Sequence, residues 1–128
     1  MTYYFSKHLS IGFDEAVLRA TEALKAEGFG IITEVDVKAT LKKKINVDFR
    51  NYRILGACNP TLAHEALKLE DKVGTMLPCN VIVQDIGSGK TEVAAIDPVA
   101  SMQAIDNPRL TEAAAQVQAK LCKIIESL

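Results

Sequence analysis

The sequence contains no tryptophan, and its aromatic residues are four Phe and three Tyr among 128 positions. Binding to single-stranded nucleic acid uses aromatic platforms for base stacking, and few are available. An excess of one charge is also missing: 15 Lys and Arg stand against 16 Asp and Glu, a net charge of -1. Nucleic-acid affinity comes largely from neutralising phosphates, so the whole-chain balance argues against nucleic acid as a partner. Cysteine is sparse, odd in number and without CxxC spacing, at Cys58, Cys79 and Cys122. A secreted disulfide framework needs a denser, even set, and reduced thiols are expected instead. No apolar run approaches the ~20 residues needed to cross a bilayer. The opening MTYYFSKHLS has no apolar signal-peptide core. A cytoplasmic protein without a membrane partner is expected.

What is present is ordinary globular material, 48% hydrophobic and 24% charged, enough for a single domain over residues 1–128. Tyr3 to Leu9 reads as a strand. Ser10 is placed to cap a helix with Phe13, Val17, Ala20 and Leu24 on one side and Gly28 at its stop. Phe29 to Val35 reads as a second strand, and Asp36 as the cap of a helix reaching about Lys44. Tyr52 to Ala57 is a third strand, followed by Asn59 and Pro60 as the cap and first residue of a helix. Val81 to Ile86 and Thr91 to Ile96 are strands joined by a Gly87-Ser88-Gly89-Lys90 turn, with a loop after Asp97-Pro98. A second Asn-Pro pair, Asn107-Pro108, opens a last helix striped by Leu110, Ala114, Val117, Leu121, Ile124 and Leu128. Five strands and four helices with one hairpin predict an α+β fold. The expected form is a two-layer α/β sandwich with a mixed or antiparallel sheet packed against helices.

Chemistry-bearing residues are few. GSGKT lacks the upstream glycine of a phosphate-binding loop, since Gln84 occupies that position, and a strand rather than a helix follows it. Cys58-Asn59 and Cys79-Asn80 repeat a Cys-Asn pair at element ends. The first lies just outside a helix N-terminus, where a thiol can be activated. The alternative is that both cysteines are small buried hydrophobes, as Cys122 on the last helix is expected to be. His8 and His64 complete no zinc-like spacing, and no metal site is expected. No Ser-His-Asp or Cys-His-Asn order marks a nucleophile. Asp36 and Asp97 stand at element ends where caps use aspartate, although either of them, or Asp85, could serve acid–base chemistry. Residues 38–53 hold Lys38, Lys42, Lys43, Lys44, Arg50 and Arg53 against Asp48, so a +5 segment balances a -6 remainder. Such a cluster is a solvated surface, an anion-binding patch or half of a complementary self-association surface.

GFGIITEVDVKATLK, YRILGACNPTLAHEAL, LPCNVIV and the strand ending in Asp97-Pro98 resemble the domain-of-unknown-function 302 family over nearly the whole chain. The resemblance implies a self-associating α+β sandwich with no established activity and no catalytic residue to transfer. A branch of that family without the two cysteines implies that the fold does not require them. The leading expectation is a homodimeric binding module, leaning away from an enzyme, for a small molecule or anion. Its candidate residues are Cys58, Asn59, Cys79, Asn80, Lys42 and Arg53. The alternatives are thiol chemistry through Cys58 and Cys79 (sulfur transfer, redox sensing or soft-metal binding) and a structural or protein-interaction role. No cofactor is identified.

Overall fold

The computed structural model describes residues 2–128. Its strands are β1 (Tyr4–Leu9), β2 (Gly30–Asp36), β3 (Tyr52–Cys58), β4 (Cys79–Gly87) and β5 (Lys90–Ile96). The helices are α1 (Phe13–Ala26), α2 (Val37–Ile45), α3 (Pro60–Leu69), the short α4 (Pro98–Ser101) and α5 (Pro108–Ser127). The sheet runs in the order β1-β5-β4-β3-β2, and every neighbouring pair is antiparallel. The fold is α+β, and among the described residues the sheet contains no parallel pair.

Alternation along the strands decides which face is covered. Leu55 and Ala57 of β3, Val81 and Val83 of β4, and Val93 and Ala95 of β5 are buried. They meet Ala16, Ala20 and Leu24 of α1 and Leu121, Ile124 and Ile125 of α5 in one core. Alanines at two of the three buried α1 positions let that helix approach the sheet closely. Ala66, Val73 and Leu110 form a second, smaller cluster with Leu77, Met102 and Ile105 partly buried around it, joining α3 to the start of α5.

The helix ends follow local hydrogen-bond chemistry. Asp36 accepts from Ala39 N at 2.9 Å, Asn59 from Leu62 N at 3.2 Å, and Asn107 from Arg109 N at 3.1 Å, each as the sequence predicts. Ser10 does not cap α1. Gly12 holds that position without a side-chain bond, because the helix begins later than its first polar residue suggests. At the other end, Gly28 N donates to Lys25 O and Phe29 N to Leu24 O, closing α1 in a Schellman arrangement with Gly28 at φ +85°. The expected hairpin turn is present, with Ser88 at φ 56° and Gly89 at φ 72°, the signature of a type I′ turn. Two elements were not expected. Residues Asp71–Met76 form a 3-10 turn, and the segment after Asp97, expected as a loop, holds α4, which Asp97 caps by accepting from Val99 N at 3.0 Å.

Among the described residues no helix layer covers the opposite sheet face. Tyr4 and Asn80 are exposed there, and Ile54, Ile82 and Ala94 are only half-buried. At the β2–α2 flank Ile32, Val35, Ile45 and Val47 are also exposed, Ile45 by 63%.

Candidate functional site

The six residues proposed from sequence fall in three places. Ala57 and Cys79 are directly opposed in the β3–β4 ladder, which puts Cys58 and Cys79 within one residue of the same register. Cys58, Asn59 and Cys79 line a cavity of about 40 Å³ between the sheet end and the helices, together with Leu62, Leu77, Met102 and Val117. Burial pushes the Cys79 thiol from its ordinary 9.0 up to about 11, with a smaller push from neighbouring Cys58. Cys79 therefore stays a neutral thiol at neutral pH. The side-chain oxygen Oδ1 of Asn59 is already engaged as the cap of α3, accepting from Leu62 N.

Asn80 follows Cys79 in the strand, so alternation sends its side chain to the uncovered face. Lys42 and Arg53 lie elsewhere. Arg53 is five residues before Cys58 on β3, about 17 Å along the strand. It is held by Glu34 at 3.0 Å and Asp36 at 3.7 Å, and its guanidinium stacks 5.5 Å from the Phe13 ring centre. Lys42 pairs with Asp48 at 3.1 Å. The strand length separates these cations from the cysteines.

The uncovered face carries a groove of about 360 Å³, lined by Tyr3, Tyr4, Tyr52, Asn80, Ile82, Gln84, Glu92, Ala94 and Ile96. This volume is in the range of small-molecule sites, roughly 300–1,000 Å³. A chain of polar contacts crosses its floor. Arg50 Nε donates to Gln84 Oε1 at 2.9 Å, and Gln84 Nε2 donates to Glu92 Oε1 at 2.7 Å. Glu92 Oε2 lies 3.2 Å from His8 Nε2. The Arg50 guanidinium sits 4.3 Å from the Phe49 ring centre and 5.6 Å from that of Tyr52. Sequence reading met Arg50 in the basic segment, Tyr52 as a strand residue and Gln84 in the phosphate-loop test, and named none of them, nor Glu92, as a site residue. The signal was present: Asn80, Ile82 and Gln84 alternate with Val81 and Val83, yet only the tertiary fold shows that their face has no helix over it.

A family described as a domain of unknown function, DUF302, matches residues 5–128. The chain belongs to the DUF302 family. A crystal structure of an uncharacterized conserved DUF302 protein from Bacillus stearothermophilus is similar, at 30% identity and a TM-score of 0.90. The likeness covers 98% of this chain and 98% of that one. No curated protein matches. Within this DUF302 chain, the segment Gly56–Pro60 and the segment Leu77–Asn80 meet at one spot. A Cβ on Gly56 would lie 1.9 Å from Thr33 Oγ1 and 2.8 Å from Pro78 Cγ, so β2, β3 and the entry to β4 close on a position without a side chain.

Among the described residues, no group of three or more His, Cys, Asp or Glu is placed to hold a metal ion. No helix among them is long and apolar enough to cross a membrane.

Proposed function

We propose that the protein is a homodimeric binding module for a small organic molecule, held in the groove on the uncovered sheet face. The groove itself carries this reading. It combines tyrosine walls with a polar floor in a volume suited to a metabolite. A flat ligand face would rest on Tyr52 and Tyr4, with hydrogen-bonding groups directed to Asn80 and Gln84. Arg50 at the rim favours a ligand with an anionic or electron-rich edge. The exposed Ile32, Val35, Ile45 and Val47 on the β2–α2 flank support self-association away from the groove.

A thermal-shift screen of metabolites and organic anions, paired with native mass spectrometry of the purified protein, tests the ligand. Stabilisation by one compound class that is lost in Tyr52→Ala and Gln84→Ala variants is expected. No stabilisation and no co-purified species would rule the groove out as a binding site. Light scattering after gel filtration tests assembly. A dimer that Ile32→Asp converts to monomer is expected, and a monomeric wild type at all concentrations refutes it.

A further inference from the structure

Alternation and register set the chemistry of the uncovered face one row at a time. His8, Glu92, Gln84 and Tyr52 are opposed in turn on β1, β5, β4 and β3, so they form a single row across four strands. The neighbouring row on the same face is Ser6, Ala94, Ile82 and Ile54, with no charged side chain. The groove therefore has an uncharged floor beside a polar wall. Within that wall the charges are ordered. Gln84 accepts from Arg50 Nε through Oε1 at 2.9 Å and donates from Nε2 to Glu92 Oε1 at 2.7 Å. Arg50 Nε and Glu92 Oε1 are thus no more than about 8 Å apart, two hydrogen bonds and the width of one amide group.

Arg50 is held in place but not neutralised. Its guanidinium is fixed by Gln84 and by the Phe49 and Tyr52 rings. Among the described residues no carboxylate pairs with it, whereas Lys42 and Arg53 each have acidic partners. Its Nη1 and Nη2 atoms, the forked edge that grips a carboxylate, take no protein partner there. Glu92 is the one carboxylate among the described residues that line the groove. Its Oε2 faces His8 Nε2 at 3.2 Å, and a carboxylate with about four lone-pair sites can accept a further donor.

We infer that the groove takes a small zwitterion, an amino-acid-type molecule whose carboxylate engages Arg50 and whose ammonium engages Glu92. The inference rests on the groove being the binding site and adds the charge pattern of its ligand. The carboxylate meets the open fork of Arg50 in two parallel hydrogen bonds, and the ammonium, within about 8 Å of it, donates to Glu92. The apolar body lies over Ala94 and Ile82. The same wall disfavours the other charge types. A dianion sets its second charge against Glu92. A simple monoanion satisfies Arg50 but covers Glu92 without bringing a donor, and a simple cation leaves the Arg50 fork covered and unpaired. A neutral molecule fails on both counts.

Titration of the isotopically labelled full chain, followed by amide NMR, tests the charge pattern with a matched set of probes. The probe para-aminomethylbenzoate carries both charged groups across one ring. In the set, para-toluate lacks the ammonium, para-methylbenzylamine lacks the carboxylate, and terephthalate puts a second carboxylate in place of the ammonium. The zwitterion is expected to shift the resonances of Ile82, Gln84, Glu92 and Ala94. It is expected to bind at least ~10-fold more tightly than each of the other three, the loss of one charge-assisted contact. Glu92→Gln keeps an acceptor for Gln84 and is expected to abolish the preference over para-toluate alone. Arg50→Gln is expected to abolish the preference over para-methylbenzylamine alone. A damaged fold does not produce this crossed change in selectivity. If para-toluate or terephthalate binds wild type as tightly as the zwitterion, the inference is overturned and the groove remains a binding site. The same follows if either variant keeps the wild-type order of affinities. If no probe shifts any groove resonance the inference also falls, and the groove itself falls only with the metabolite screen described above.

Discussion

Replacing Gly56 with alanine introduces one methyl group where β2 and the entry to β4 already close on β3. Its carbon would stand 1.9 Å from Thr33 Oγ1, 3.3 Å from Thr33 Cβ and 2.8 Å from Pro78 Cγ. The Thr33 hydroxyl can swing away, because Thr33 is exposed on an edge strand. The proline ring is held at the entry to β4 and has no free rotamer, so β3 must move from its neighbours. Overpacking of this kind costs about 2–3 kcal/mol. For a chain of this length that lowers the melting temperature by roughly 10 °C. Thr33→Ala alone is an exposed change worth within ~0.5 kcal/mol. Combined with Gly56→Ala it removes the closest contact but leaves Pro78, so it is expected to restore about half the loss, a coupling of ~1 kcal/mol. Urea denaturation of the wild type, both single variants and the double variant completes the cycle. A Gly56→Ala protein that melts within ~2 °C of wild type refutes the clash. Strict additivity of the two substitutions refutes the role given to Thr33.

The buried Cys79 thiol titrates near 11 in the folded chain against an ordinary 9.0, so on raising the pH the unfolded chain ionises first. The stability it contributes is complete below pH 9 and is lost as the pH rises to 11, by about 2–3 kcal/mol. Urea midpoints of wild type and Cys79→Ala should therefore converge with rising pH, and parallel curves would contradict this. Asn107 caps α5 and also donates through Nδ2 to Leu69 O at 3.0 Å, tying α5 to α3. Asn107→Ala should cost about 2 kcal/mol, and Asn107→Asp, which keeps the cap and loses the tie, roughly half of that, by chemical denaturation. Equal losses in both variants would show that the cap carries nothing. Lys7 Nζ donates to Glu126 O at 2.9 Å and to Leu128 O, so a cation meets the negative end of the α5 dipole. Lys7→Met should destabilise by about 1 kcal/mol and speed hydrogen exchange in the last turn of α5. Unchanged exchange there would remove Lys7 from that role.

Features made by residues close in the chain were legible without the fold. The Asn59-Pro60 and Asn107-Pro108 starts, the Asp36 cap, the type I′ hairpin and the α5 stripe each depend on bonds or spacings spanning only a few positions. Ser10 failed as a cap for a related reason: any polar residue before an apolar period resembles an N-cap, and only backbone dihedrals choose among Ser10, Ile11 and Gly12. The grouping of Cys58 with Asn59, Lys42 and Arg53 could not be judged locally. Cys58 and Arg53 share a strand, and an extended chain carries its two ends far apart.

Composition and periodicity by themselves pointed to an α+β fold and to the positions of its strands and main helices, while the motifs around Gly56 and Pro78 carried the resemblance to the family. The tertiary structure decided which side of the sheet the helices cover, and that choice leaves Tyr52, Gln84 and Glu92 in an open groove. It also gathered Cys79, Met102 and Val117, far apart in the chain, around one small cavity. The physical reason is the range of the forces involved. Caps and turns are closed by hydrogen bonds between near neighbours, whereas a face or a cavity exists only after distant apolar stripes have paired. The near-zero net charge of -1 behaves likewise. It gave an expectation about the class of partner, while the individual cations found their acidic neighbours, Asp48 for Lys42 and Glu34 for Arg53, through the fold.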